Sequence, residues 1–157
     1  MIFSFHQGDL LTSTAPLILQ AVNCQGAMNS GLAKAIREKW GVVYEKYSEY
    51  CSKFEDKKEL LGKVLPVTVS ETQKVLNLFT QEKFGYDGQR YTSYDALDTC
   101  LGKVGEYCEV KSIGRIALPF KMCSVRGGAS WLVVMEIIKD QLNDKKIEIE
   151  LWDNGKE

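Results

Sequence analysis

Short runs rich in valine, isoleucine and leucine alternate along this chain with stretches of helical periodicity, and that alternation restricts the fold more than any other feature. The strand-like runs are Ile2 to Gln7, Leu17 to Asn23, Gly62 to Val69, Lys74 to Thr80, Gly114 to Leu118 and Ile147 to Leu151, each bounded by turn residues. The helical stretches are Gly31 to Trp40, Val42 to Phe54, Ser93 to Val110 and Ser130 to Asn143, with Ser93 and Ser130 in N-cap positions. The resulting order, ββααββαβαβ, predicts an α/β fold whose mixed, largely parallel central sheet is covered by helices on both faces. Ligands of such sheets lie in the crevice beyond the carboxyl ends of the strands, so the informative loops are those after Asn23, Thr80 and Leu118.

A chain of 157 residues can bury a sizeable core without disulfides or metals, and one domain over residues 1–157 is expected, with no linker or repeat. Its 20 Lys and Arg balance 21 Asp and Glu, a net charge of −1, and the lysines are scattered among glutamates. A nucleic-acid partner is therefore disfavoured. The five cysteines form an odd set without zinc or redox spacing, which predicts free thiols and a cytoplasmic location, with no metal and no cofactor. No segment approaches the roughly eighteen unbroken apolar residues of a membrane helix, and the N-terminus lacks the pattern of a signal peptide. Glu55 to Glu59 reads as a charged, solvated turn.

The loop after Asn23 runs Cys24, Gln25, Gly26, Ala27, Met28, Asn29, Ser30 directly into a helix at Gly31. Small residues admit a ligand to the backbone, and a helix N-terminus favours an anion such as phosphate, although any strand-to-helix connection uses similar residues. The spacing is neither a Walker A loop nor a Rossmann fingerprint. After Leu118, the run Pro119 to Trp131 places Ser124, Arg126, Gly127 and Gly128 before another helix, where a backbone nest suits a diphosphate. Arg126 is either a phosphate contact or an exposed loop arginine. Asp9, after the first strand, is either an acceptor for an amine or ribose hydroxyl or a turn cap. Asn23 is either a sugar contact or a turn former.

Together these residues resemble the macro domain family of ADP-ribose-binding modules over nearly the whole chain. Gly8, Asp9 and Leu10 match the glycine, aspartate and apolar pattern after the first strand, and Asn23 matches the strand-end asparagine. Asn29, Ser30, Gly31, Leu32 and Ala33 match the loop of small residues, glycine, apolar residue and alanine. The resemblance implies a three-layer αβα macro domain in which Asp9 holds the adenine amino group beside Leu10, and adenine lies against apolar side chains. It further implies that Asn23 holds the distal ribose. Ser30, Gly31, Leu32 and Ala33, with Met122, Cys123, Ser124, Val125, Arg126, Gly127 and Gly128, would surround the diphosphate. Among subfamilies the chain is most similar to the single-domain branch of the terminal ADP-ribose protein glycohydrolase and the ADP-ribose 1''-phosphate phosphatases, through Asn23, Cys24, Gln25 and the spacing from Pro119 to Trp131.

The departures from that branch concern catalysis. Gln81 and Gly127 stand where the glycohydrolase has its lysine and aspartate, and Met122 to Val125 replace residues that are usually glycines. Two functions follow as expectations. One is hydrolysis of ADP-ribose derivatives, either ADP-ribosyl esters on protein or ADP-ribose 1''-phosphate, by water positioned mainly by Asn23. The other is non-catalytic binding of ADP-ribose or ADP-ribosylated protein. In the loop Gln81 to Tyr91, Lys83, Asp87 and Arg90 are candidate groups over the distal ribose, and Phe84, Tyr86 and Tyr91 a candidate lid; a polar surface turn is the alternative. The lone histidine, His6, reads as structural, and Cys24 and Cys123 lack a neighbour that would activate a thiol.

Overall fold

The computed structural model describes residues 1–155. Its elements are β1 (Ile2–Gln7), β2 (Leu17–Asn23), α1 (Gly31–Lys39), α2 (Gly41–Ser52), β3 (Val64–Thr68), β4 (Lys74–Gln81), α3 (Tyr94–Lys111), β5 (Arg115–Pro119), α4 (Trp131–Leu142) and β6 (Glu148–Asp153). The strands form one sheet in the order β1-β6-β5-β2-β4-β3. All neighbours are parallel except β3, which runs antiparallel to β4. The expected α/β architecture is therefore present.

The apolar pattern explains the layers. β2 is buried along most of its length, as a central parallel strand covered on both faces must be. Alternate side chains divide it between two cores: Leu17 and Leu19 pack with Leu97, Leu101, Val134 and Ile138 of α3 and α4, while Ile18 and Val22 pack with Ile36, Val43 and Tyr47 of α1 and α2. Because the parallel strands point the same way, the ends of β1, β2, β4, β5 and β6 gather at one edge of the sheet.

Element ends shift by one or two residues from the sequence pattern, and of the two expected N-caps one lacks its side-chain bond. Ser93 caps α3, its hydroxyl accepting from Ala96 N at 3.1 Å. Ser130 makes no such side-chain bond; its own N–H donates instead to the Tyr94 hydroxyl at 3.0 Å. The charged stretch Glu55 to Glu59 enters a short 3₁₀ helix, Lys57–Leu60, which buries Leu60, and the Lys57 ammonium donates to Cys51 O and Phe54 O at 2.7 Å each. A second 3₁₀ turn, Leu10–Thr12, follows β1 and is missed by a 3.6-residue period because it is a single turn.

Candidate ligand-binding cleft

A cleft of about 500 Å³ lies at the carboxyl edge of the sheet, walled by the loops after β1, β2, β4, β5 and β6. Of the residues singled out from sequence, Asp9, Leu10, Asn23, Ser30, Gly31, Leu32, Ala33, Met122, Cys123, Val125, Arg126 and Gly127 line it. Ser124 and Gly128 do not; Ser124 folds back to donate to Met122 O at 3.4 Å.

Asn23 organises the first loop. Its Oδ1 accepts from Gln25 N at 2.9 Å and Ala27 N at 3.4 Å, and its Nδ2 donates to Ala27 O at 3.0 Å. The hydroxyl of Tyr47, from α2 below, lies 2.9 Å from Oδ1 and 2.7 Å from Asn23 O, sharing one proton between two acceptors. Tyr47 is fully buried, and burial raises its phenol far above the ordinary range, so it stays a donor. The turn-former reading of Asn23 is thus realised, while its second amide hydrogen remains beyond the bond to Ala27. Sequence pattern gives no sign of Tyr47, because its partner is 24 residues away.

Beyond that loop α1 begins at Gly31 with a φ of 57°, a left-handed value that favours glycine. Ser30 gives α1 no side-chain cap. Its hydroxyl instead meets the Tyr86 hydroxyl at 3.0 Å, leaving the first-turn N–H groups of α1 as donors at the cleft wall.

The loop after β5 takes its shape differently. Lys121 and Cys123 adopt left-handed φ values of 64° and 69° without being glycine, a conformation costing on the order of 1–2 kcal/mol per residue. The loop after β4 helps to fix it: Gly127 O accepts from Tyr91 N at 2.8 Å and Thr92 N at 3.0 Å, and Cys123 O accepts from Thr92 Oγ1 at 3.2 Å as well as from Ala129 N, within the loop, at 3.0 Å. A methyl on Gly127 would collide with Thr92 and Cys123, and one on Gly128 with the backbone of Gln89 and Arg90. Both glycines therefore permit this close approach, in addition to any nest for a ligand.

Asp9 also has a structural bond, Oδ1 accepting from Leu11 N at 2.9 Å to cap the 3₁₀ turn, yet it faces the cleft with its second oxygen to spare for the chemistry of the site. Gln81 lies beside Asn23 across the β2 and β4 pairing, and its amide donates to Lys83 O at 2.8 Å. In the following loop, Phe84, Gly85 and Tyr86 line the cleft, whereas Lys83, Asp87, Arg90 and Tyr91 do not. Asp87 is held by the Tyr91 hydroxyl at 2.8 Å, and Arg90 lies over the Tyr94 ring at 4.4 Å. The suggestion that Lys83, Asp87 and Arg90 reach a sugar is not met by this arrangement.

Neither Cys123, which lines the cleft, nor Cys24, which is buried and does not, is built as a nucleophile. Burial, with smaller contributions from Cys51 and Glu82, pushes the Cys24 thiol up to about 12, and burial pushes Cys123 up to about 11. His6 stacks on Trp152, ring centroids 4.7 Å apart, and shares a hydrogen bond with Ser4. His6, Glu148 and Glu150 offer ligand atoms within 4.8 Å of one another. These atoms already serve Ser4, Ser13, Arg115 and Trp152, which makes the group a polar network of the sheet.

Trp152, Asp153 and Asn154 complete the wall near Asp9 and were not singled out from sequence. The rule that ligands sit beyond parallel strand ends applies equally to β6 and would have found them. Gln20 forms part of the floor; its Nε2 donates to Asn77 Oδ1 at 2.7 Å.

No protein-family profile and no curated protein sequence matches this chain. Solved structures do. A protein of unknown function from Bacteroides thetaiotaomicron superposes with a TM-score of 0.86 at 25% identity, covering 98% of each chain. The macrodomain of Mycobacterium tuberculosis DarG gives 0.83 at 18% identity, covering 98% of this chain and 99% of that one. Thermosipho africanus DarTG, solved in complex with ADP-ribose, gives 0.77 at 21% identity, covering 96% of this chain and 41% of that one. The chain has the macrodomain fold.

Proposed function

We propose that this protein is a single macro domain that binds ADP-ribose in the cleft at the carboxyl edge of its sheet. The observation that carries the reading is the pairing, across one cleft, of the uncapped α1 N-terminus at Gly31 with the Arg126 loop after β5. Gly31 and the Arg126 guanidinium are close enough that a Cβ on the glycine would lie 3.8 Å from Arg126 Nε. First-turn N–H groups and a guanidinium are complementary to a diphosphate. Asp9 and Trp152 stand toward β1 and β6, suited to an amino-bearing aromatic base, and Asn23 stands toward β4, suited to a sugar. The structure of DarTG with ADP-ribose supports the same ligand class.

Calorimetry tests this directly. ADP-ribose is expected to bind far more tightly than AMP or ribose 5-phosphate, since neither fragment spans both ends of the cleft; equal heats for all three would refute it. Asp9→Ala is expected to weaken ADP-ribose by about 1–3 kcal/mol, the cost of a lost charge-assisted hydrogen bond. Asp9 also caps the turn at Leu11, so the variant should lose about 1 kcal/mol of stability as well.

Hydrolysis of ADP-ribose derivatives is the second reading, favoured by the amide hydrogen of Asn23 that Ala27 does not take. With Gln81 and Gly127 at the glycohydrolase positions, such a reaction would use water and form no lysine adduct. Mass spectrometry after incubation with ADP-ribosylated peptide and with ADP-ribose 1''-phosphate separates the readings: turnover without an adduct supports hydrolysis, an adduct on Lys83 or Lys121 refutes the water route, and no turnover leaves the binding module.

A further inference from the structure

We infer that Tyr86 is a latch over the waist of the ligand: it must swing aside for an ADP-ribose-type nucleotide to enter or leave the cleft, and it closes over the diphosphate once the nucleotide is seated. The inference rests on the ADP-ribose reading and adds to it how the ligand is admitted and retained. Tyr86 belongs to the loop after β4, yet its side chain reaches both loops assigned to the diphosphate. Its hydroxyl meets Ser30 Oγ at 3.0 Å, and the Arg126 guanidinium carbon lies 4.7 Å from its ring centroid. Those two loops nearly touch at the same point, where a Cβ on Gly31 would lie 3.8 Å from Arg126 Nε. The residues of this crossing are on the outside: Tyr86 is 63% exposed, and Gly31 and Arg126 are exposed as well, whereas Gln20 and Val22 on the cleft floor are buried. The crossing is therefore a roof over the middle of the cleft.

ADP-ribose is broad at both ends, with adenosine on one side and a sugar on the other, and narrow at the diphosphate. With adenine toward Asp9 and Trp152 and the terminal sugar toward Asn23, the narrow part lies beneath the crossing, and neither broad end passes under it while it is shut. The part that moves is the Tyr86 side chain, because its loop is tied at both ends: Glu82 O accepts from Cys24 N and Gln25 Nε2, and Gly127 O accepts from Tyr91 N and Thr92 N. The hydroxyl bond to Ser30 and the cation–π contact with Arg126 both lie at the surface, and together they favour the shut form by roughly tenfold. Exposed side chains change rotamer in picoseconds to nanoseconds, so the open fraction is replenished continually and scales the rates of entry and exit. ADP lacks the second broad end. Its diphosphate is free to slide beneath a shut latch from the adenine side.

Stopped-flow association and dissociation of ADP-ribose and of ADP are compared on wild-type protein, Tyr86→Ala and Tyr86→Phe, with thermal melts to check folding. In Tyr86→Ala the association and dissociation rate constants of ADP-ribose are both expected to rise about five- to tenfold, while Kd changes by less than about threefold. Tyr86→Phe keeps the ring on Arg126 and loses the bond to Ser30, so both rates should rise about two- to fourfold. The rate constants of ADP should change by less than about twofold in either variant. ADP-ribose rates within about twofold of wild type in a folded Tyr86→Ala overturn the inference. So does an equal rise for ADP, or a rise in dissociation alone, since either makes Tyr86 an ordinary contact to the diphosphate. Absence of ADP-ribose binding by wild type overturns the parent reading, an outcome distinct from binding with unaltered rates. Should Tyr86→Ala fail to fold, Tyr86→Phe decides by the same comparison.

Discussion

The loops after β2 and β5 face each other across one cleft, and both take bonds from the loop after β4, the first where Cys24 N and Gln25 Nε2 donate to Glu82 O, but only the first has a side chain at its centre that organises it. The first is organised by one of its own side chains: Asn23 fastens Gln25 and Ala27, and Tyr47 fastens Asn23 from beneath. The second has no comparable internal organiser. Lys121 and Cys123 sit in left-handed conformations, and beside backbone bonds within the loop, such as Ser124 N to Lys121 O and Ala129 N to Cys123 O, its path is held by Tyr91 and Thr92 of the loop after β4. A loop shaped by its own side chain is specified locally, whereas a loop held by another loop inherits its shape from tertiary structure.

The largest test of this contrast is Asn23→Ala. It removes an acceptor for two backbone N–H groups and orients Tyr47 toward Asn23 O alone, so a loss of about 2–4 kcal/mol in urea unfolding is expected, beyond any effect on ligand. A loss under about 1 kcal/mol would mean that the first loop, too, is held from elsewhere. Gly127→Ala is the matching test on the other side. The added methyl forces Thr92 and Cys123 apart, and about 1–3 kcal/mol of destabilisation is expected. It should also weaken ADP-ribose, because the displaced segment carries Arg126.

The same contrast explains what the sequence made legible. Alternating strand and helix patterns were enough for the three layers, because β2, β4 and β5 are largely buried and their runs are mostly apolar, with Gln20 and Asn77 the polar exceptions in β2 and β4 that bond to each other. Asn23 and Gly31 could be read, since the bonds of Asn23 to Gln25 and Ala27 span at most four residues and the left-handed φ of Gly31 is a local demand. Tyr47 could not, and neither could the second reason for Gly127 and Gly128, because those partners are contributed by α2 and the loop after β4. Ser130 shows a limit of local pattern: it stands at the N-cap position of α4 as expected, yet its side chain makes no cap bond. Asp87 and Arg90 look free for chemistry in a string of letters and are engaged by Tyr91 and Tyr94 in the fold.

Tyr47→Phe gives a smaller and more specific effect. The ring, which packs on Phe79 with centroids 5.8 Å apart, is retained, and only the hydroxyl is lost. Asn23 keeps its bonds to Gln25 and Ala27. A net loss of about 1 kcal/mol is expected, the usual value for one hydrogen bond. A double-mutant cycle with Asn23→Ala should show strong coupling, since both substitutions remove the same bond. Additive losses would break the claim that Tyr47 stabilises the loop through Asn23.

The smallest effect expected has the opposite sign. Lys121 is exposed and its φ is 64°, so Lys121→Gly relieves a left-handed residue while adding freedom to the unfolded chain; the balance should be a gain of about 0.5–1 kcal/mol. For a chain of this size that corresponds to roughly 1–4 °C in Tm, readable by calorimetry. The binding measurement discriminates more sharply. If Tyr91 and Thr92 hold the loop through Gly127 and Cys123, the glycine should leave the path intact, and ADP-ribose affinity should change by less than about threefold once the lost lysine charge is matched by a Lys121→Gln control. If affinity instead falls well below that control, the stiffness of Lys121 is itself part of what shapes the loop. The two sides of the cleft would then be held by the same kind of local determinant, and the contrast between them would fail.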